Sequence, residues 1–537
     1  MDCPDDRTSQ RQPRRACYCK TWRCFERVPN RWAPWQKAGP KASAQRRRPV
    51  PSVRPCARRA ETSRGMRASS TRSVALIMHV GDERPGCSLV FFLLVCAPMM
   101  AVKMSWSAQW AALGPMLNDI LEESWRTQLV QLIGPITGII VAPAVGVHSD
   151  RNTSKYGQRR PYIFLSALST ILCWCVMAYV KVWFEAQPTM FGLLTILCYV
   201  WMDVTVNVLQ TVTFLLISDV AGPRQVTGSA IAHMYGILGQ MVVSMYISLA
   251  KNPRNDPQPF FALLISVMFL TVMPVCYFVR ENPWEAMRRI APGSTLENGP
   301  STAYPMQAVS IWTAWYVGIR TLPGPLFVYW LAGLCLQYGY QSYNGVKTIF
   351  FGENVYNGTK RSPLCMTVEC TAADDLYTEG VNMATGAADQ FYNALAMFTL
   401  VFLPLLVQKF GVRNVIQYTF LPHCLLLAMA LYHPVAFSVI VVGLTALGQI
   451  TVFVLQVPLI LHVAGFRDEK VLGLYLGAFN TATCLGQMLN FATATLVNWM
   501  YSSVRDGNVL AILIGGVFSV CAVLIIVFKF HVKLHSW

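Results

Sequence analysis

The sequence predicts an all-α integral membrane protein with about twelve membrane-spanning helices in two six-helix bundles. Composition is the first observation: of 537 residues, 54% are hydrophobic and only 13% are charged. With a mean hydropathy of +0.39, such a chain is too apolar to close over one aqueous core, and the surplus apolar surface must face lipid. The second is length, because the apolar residues come in segments near the roughly 20 residues that a helix needs to cross a bilayer. A barrel would alternate along short strands instead. The third is a polar break that divides these segments into two sets.

The first set of spans is expected near residues 87–117, 127–148, 161–183, 189–219, 228–250 and 259–280, and the second near 324–350, 384–408, 413–433, 435–464, 471–498 and 508–530. The organisation is a basic tail (1–85), a first bundle (86–282), a central loop (283–320), a second bundle (321–531) and a short tail (532–537).

The net charge of +17 resembles a nucleic-acid signal until it is located: residues 1–85 hold twenty Lys and Arg against seven Asp and Glu. No nucleic-acid partner is expected; the lipid bilayer is. Arg159 and Arg160, Arg288 and Arg289, Lys409 and Arg413, and Lys529 and Lys533 lie in loops or ends on one side of the predicted topology. By the positive-inside rule that side is cytoplasmic, with both termini inside. The plasma membrane is the expected location, with a vacuolar or plastid membrane as the alternative. The Arg-rich, Pro-interrupted tail lacks the apolar run of a signal peptide and reads as disordered, as a transit peptide, or as sequence upstream of a start at Met66 or Met78. Cys17-x-Cys19 has no second pair at a metal spacing, and no metal is expected.

One loop, between spans seven and eight, combines features of an exterior segment. Asn357-Gly-Thr is a glycosylation sequon, and Cys365 and Cys370 lie close enough to bridge. Asn152-Thr-Ser also matches but falls on the expected cytoplasmic side, where it would stay unmodified.

The loop after span two reads GVHSDRNTSKYGQRRP, Gly146 to Pro161, and resembles the signature loop of the major facilitator superfamily. The resemblance implies a gate: Gly146 lets two helices approach, Asp150 caps or pairs at a helix end, and Arg151, Arg159 and Arg160 supply cations for inter-helix salt bridges. The order Ser-Asp-Arg, Thr-Ser, aromatic, Gly, Arg-Arg-Pro is similar, more narrowly, to the sucrose and related glycoside-pentoside-hexuronide symporters. SWSAQWAALGPM in span one (Trp106, Gln109, Pro115), MDVTVNVLQ in span four (Asp203) and GLYLGAFNTATCLGQM in span eleven (Gly473 to Met488) agree with that family's motifs. The implied activity is proton-coupled import of sucrose or a similar glycoside by alternating access. The chain departs from the plant members at Phe214, where they carry arginine, at Ser124, where they carry histidine, and at Lys347, Ile349 and Asn354, where they carry acids.

Read residue by residue, Asp203 is the expected proton-coupling or charge-compensation site, because a carboxylate deep in a span is costly unless it faces a cavity or a partner. Asn207 and Gln210 follow at four and seven residues, on the same helical face, and offer the paired donors and acceptors that sugar hydroxyls need. Lys103 in span one is expected either to pair with Asp203 or to snorkel or pack with no acidic partner. Lys347 reads as an interfacial cation near the end of span seven. Trp106 and Gln109 in span one, Tyr338 and Tyr340 in span seven, and Asn480 and Gln487 in span eleven complete the expected sugar site of aromatic faces and amide edges. Asp389 in span eight is the alternative proton site, and Asp219 with Arg224 is a gate or cap pair.

No Gly-rich phosphate cradle, zinc-helix motif or nucleophile elbow appears, so neither an enzyme nor a cofactor is expected. The reading is a secondary transporter taking a sugar and a proton, with an uncoupled facilitator and a transporter-like sugar sensor as alternatives.

Overall fold

The computed structural model describes residues 89–121, 124–150, 152, 154–184, 186–221, 224–250, 257–279, 281, 314–360, 368–464, 469–501 and 504–534. The basic tail and the central-loop residues 283–313 lie outside them. Among the described residues the chain forms twelve long helical segments and no strand. These are α1 (89–121), α2 (124–150), α3 (Arg160–Trp183), α4 (Pro188–Ala221), α5 (Gln225–Ala250), α6 (Gln258–Phe278), α7 (324–355), α8 (368–410), α9 (412–431), α10 (435–464), α11 (Glu469–Met500) and α12 (Val504–Lys529).

Ten of the twelve are long and apolar enough to cross a membrane by length and composition. The exceptions are α7 and α11, whose apolar runs are broken by Gln337, Gln341, Asn344, Asn480, Gln487 and Asn490. Amides in a span must find partners or face a cavity. Lipid-facing positions of the other helices are apolar at helical spacing, as at Leu165, Leu168 and Leu172 of α3 and Phe398, Phe402 and Leu405 of α8.

Helix packing repeats with an offset of six. In the first half α1 packs on α5, α2 on α4 and α3 on α6; in the second α7 packs on α11, α8 on α10 and α9 on α12. The halves meet through α2 with α11 and α5 with α8, again equivalent pairs. Such repeats place a site at their interface. The α1–α5 crossing is tight enough to exclude any side chain at Gly239, whose Cβ would lie 2.0 Å from the Met100 carbonyl oxygen.

Two sequence expectations are revised. Helix α8 starts at Val368 rather than near 384, because Tyr377 and Val381 are buried and Tyr377 packs against Gly352 and Gly358 at the end of α7. The expected central loop contains a short helix, Ala314–Arg320, and the Tyr475 hydroxyl donates to the Thr321 carbonyl just beyond it (3.1 Å).

Three helices widen into π turns, at Gln109–Leu113 of α1, Phe350–Val355 of α7 and Met383–Ala388 of α8. Such turns recur at functional sites because they re-aim side chains without ending the helix. Here one starts at Gln109 and another ends beside Asp389.

Candidate functional site

A cavity of about 200 Å³ lies between the halves, lined by residues of α1, α2, α4, α5, α7, α8, α10 and α11. It is smaller than the ~300–1,000 Å³ of typical small-molecule sites. Twelve amide side chains line it, among them Gln109, Asn207, Gln210, Gln337, Gln341 and Asn480, together with the rings of Trp106, Trp110, Tyr340, Tyr392 and Phe453. Amides donate and accept at once, which suits a ligand rich in hydroxyls, and the rings supply flat apolar faces.

Asp203 sits just behind this wall, fully buried. Its Oδ1 accepts a hydrogen bond from Gln109 Nε2 at 2.7 Å. Its Oδ2 has no hydrogen-bond partner among the described residues and faces Gly134 of α2, where a Cβ would lie 3.2 Å away. One turn further on, Asn207 Nδ2 donates to the Asp203 carbonyl (2.9 Å) and to Thr137 Oγ1 (3.3 Å). Trp106 Nε1 donates to Gln210 Oε1 at 2.8 Å. The polar stripe of α4 is thus fixed to α1 and α2, and Asn207 and Gln210 reach the cavity.

The expected Lys103–Asp203 pair does not form. Lys103 lines the cavity, but its Nζ lies over the Phe453 ring of α10, 5.7 Å from the centroid, while Asp203 is held by Gln109. The ion pair in the cavity is instead Lys347 Nζ to Asp389 Oδ2, at 2.6 Å, with side chains 5% and 15% exposed. Lys347 is therefore a buried lining residue and not an interfacial cation. Its signal in the sequence was faint, because α7 continues two turns past Gly345 through a π turn that hydropathy does not reveal.

Tyr338 and Tyr340 separate. Two residues along a helix are about 200° apart, so both cannot face one cavity. Tyr340 lines it, whereas Tyr338 stacks on Phe518 of α12 (centroids 3.9 Å apart) and shares a hydrogen bond with Thr493 (2.6 Å). Asn480 and Gln487 of α11 both line the cavity. Gln337, Gln341 and Asn344 were overlooked although their 4- and 3-residue spacing marks one face.

Contacts tie the halves together on the Asn357 side of the cavity. Trp110 stacks on Phe491 (5.8 Å), Gln128 Nε2 donates to the Gly345 carbonyl (2.9 Å), and Ser244 Oγ donates to Gln390 Oε1 deeper in (2.6 Å).

At the other end, the signature loop is organised by an acid that sequence reading missed. Glu281, just past α6, accepts the backbone N–H groups of Gln158, Arg159 (2.7 Å) and Arg160 (2.8 Å), and so caps the start of α3. Arg159 Nε pairs with Asp219 Oδ2 of α4 at 3.0 Å, and its Nη1 donates to Ser149. Arg160 Nε lies 3.7 Å from Glu281 Oε1. Asp219 thus contacts Arg159 across helices, a partner not foreseen for it. Gly146 is not a point of close approach in this conformation, since among the described residues its Cβ would meet only Leu215 Cδ1, at 4.0 Å. The Arg151 residue and the side chains of Asp150, Ser124 and Pro115 lie outside the described residues.

In the expected exterior loop Asn357 is exposed, with φ 55°. Cys370 is disulfide-bonded; Cys365 lies outside the described residues. Asn152, by contrast, uses its side-chain amide on the Gln158 carbonyl (3.2 Å).

Solved structures share this architecture. The D-xylose-proton symporter aligns over 83% of this chain and 99% of its own with a TM-score of 0.55 at 13% identity, and the E. coli xylose transporter XylE over 84% and 100% with a TM-score of 0.56 at 15% identity. The chain has the major facilitator fold. Its residues 94–305 match the family described as MFS/sugar transport protein. The sequence is similar to the sucrose transport protein SUC3 of Arabidopsis thaliana, 26% identical over 37% of this chain and 38% of that protein. It is similar also to the sucrose transport protein SUT4 of Oryza sativa subsp. indica, 26% identical over 38% and 40%. The chain spans about 40% of the length of these curated relatives.

Proposed function

We propose that this protein is a secondary transporter that moves sucrose or a related disaccharide or glycoside together with a proton, by alternating access. The observation that carries the reading is the Gln109–Asp203 pair: a fully buried carboxylate, held through one oxygen by a cavity-lining amide and, among the described residues, with no hydrogen-bond partner on the other. Gain or loss of a proton at Asp203 changes what Gln109 can bond, so the protonation state reaches the sugar-binding wall through one side chain. Trp106, Gln109, Asn207, Gln210, Tyr340, Asn480 and Gln487 act as the sugar-binding set. Arg159 with Asp219, and Glu281 beneath the signature loop, form the gate at the opposite end from Asn357. The membrane is the plasma membrane, with the Arg159 end and both termini in the cytoplasm.

The Lys347–Asp389 ion pair favours a second reading, uncoupled facilitation, for the C-terminal half: Asp389 already has a counter-charge, so proton exchange there requires the pair to break. Uptake of labelled sucrose and methyl glucoside at two pH values, beside Asp203→Asn, tests the first reading. Uptake that rises at acidic pH and loses that dependence in the variant is expected. Uptake without inward current, equal in both proteins, would establish the facilitator instead.

A further inference from the structure

A histidine buried in the second half is tied to the cavity wall through two amides. Gln337 of α7 and Gln449 of α10 both line the cavity, and Gln337 Nε2 donates to Gln449 Oε1 at 2.9 Å. Helices α7 and α10 stand in the second half where α1 and α4 stand in the first, so this bond is the counterpart of Gln109 donating to Asp203. Gln449 Nε2 in turn lies 3.3 Å from Nε2 of His423. An amide nitrogen only donates, so this ring nitrogen accepts and the ring proton sits on Nδ1. His423 falls in a 3₁₀ turn within α9, Leu421–Cys424, and is fully buried.

Nδ1 of this ring has no hydrogen-bond partner among the described residues. It abuts Gly448, where a Cβ would lie 2.8 Å from Nδ1 and 2.7 Å from Cε1. A buried N–H without a partner is costly, and an apolar side chain in the same slot would avoid that cost. What the imidazole supplies in return is the bond to Gln449. That bond settles what two amides leave open. An ionised carboxylate only accepts, and so fixes which end of its glutamine turns toward it. A second amide fixes nothing, because it can offer its nitrogen or, after half a turn, its oxygen. With His423 accepting, Gln449 must give Nε2 to the ring and Oε1 to Gln337. Gln337 then spends Nε2 on Gln449 and keeps Oε1, an acceptor, for a ligand. A donor in place of the ring acceptor would turn both amides and present the opposite atom.

We infer that His423 is a positioning residue that sets substrate specificity: it holds the Gln449–Gln337 chain in one direction, so that Gln337 meets the ligand as an acceptor and selects a hydroxyl that donates. The inference rests on the glycoside-transport reading and adds to it the hydrogen-bond sense required at one position of the sugar.

The test uses methyl α-D-glucopyranoside and analogues in which each hydroxyl in turn is replaced by hydrogen or by fluorine, which accepts weakly and cannot donate. Binding to purified full-length protein in detergent is measured by calorimetry for the wild type, Q337L, H423L and H423F, with monodispersity and thermal midpoint recorded for each. At the position that faces Gln337 the fluoro analogue should bind as poorly as the deoxy one, about 3- to 10-fold below the parent sugar, the range of one neutral hydrogen bond. Q337L should abolish that difference and so identify the position. H423L and H423F, which do not touch the ligand, should abolish it at the same position and leave the pattern at the others as in the wild type. Either histidine variant binding with the wild-type pattern throughout would overturn the inference, since that is what a packing role predicts. A wild type that nowhere distinguishes fluorine from hydroxyl would overturn it without any variant, and leave glycoside transport standing. Monodisperse wild type that binds none of these sugars would reject both readings.

Discussion

Replacing Asp389 with leucine leaves the Lys347 ammonium in a cavity wall where its side chain is 5% exposed. Removing one member of a buried ion pair costs about 3–5 kcal/mol, most of it the penalty for the charge left behind, whereas replacing both members with apolar residues of similar size is close to neutral. Lys347→Met alone strands a carboxylate whose side chain is 15% exposed, so its cost should fall nearer ~3 kcal/mol. The combined Lys347→Met, Asp389→Leu protein should therefore be more stable than either single variant, and at least ~2 kcal/mol short of additivity. Reversible unfolding in mixed micelles, followed by circular dichroism, gives all four corners of this cycle without reference to transport. Single-variant costs that sum to the double-variant cost within ~0.5 kcal/mol would mean that the 2.6 Å contact does not operate in the folded protein, and the reasoning would fail.

Trp106→Phe keeps the ring but removes the bond to Gln210 Oε1; substrate KM should rise roughly fivefold, equivalent to ~1 kcal/mol, with an unchanged KM counting against a role for this pair. Glu281→Ala removes the acceptor of three backbone N–H groups at the start of α3 and should lower stability by about 1–2 kcal/mol, the range of a lost helix cap. An unchanged thermal midpoint in Glu281→Ala would contradict the capping role. Expression in a glycosylating host should give a band that moves faster after glycosidase treatment and after Asn357→Gln, while Asn152→Gln leaves mobility unchanged.

Much of the fold was legible without coordinates, because each span must satisfy its own backbone and cover itself with apolar side chains. Eleven expected spans lie within a few residues of the observed helices. The exception, the start of α8, is a segment whose polar composition concealed the packing of Tyr377 and Val381. Polar side chains in spans were legible for the same reason: Trp106, Gln109, Asp203, Asn207, Gln210, Asp389, Asn480 and Gln487 stand out in apolar runs, and all but Asp203 line the cavity, with Asp203 directly behind it.

Partnership was not legible. Lys103 and Asp203 are a cation and an acid deep in the first bundle, and sequence logic joins them, but Gln109, at the start of a π turn, bonds the carboxylate while the lysine lies over an aromatic ring. Lys347 meets Asp389 where α7 and α8 each carry a π turn close by, at Phe350–Val355 and Met383–Ala388. Tyr338 turned away from the cavity because its neighbour Tyr340 faces it, a consequence of helix phase. Sequence determined which residues cross the membrane and which of them are too polar to face lipid, since hydropathy and helical period are local properties. Which charge meets which depends on how helices distant in sequence are phased and bent against each other, and that the tertiary structure alone decided.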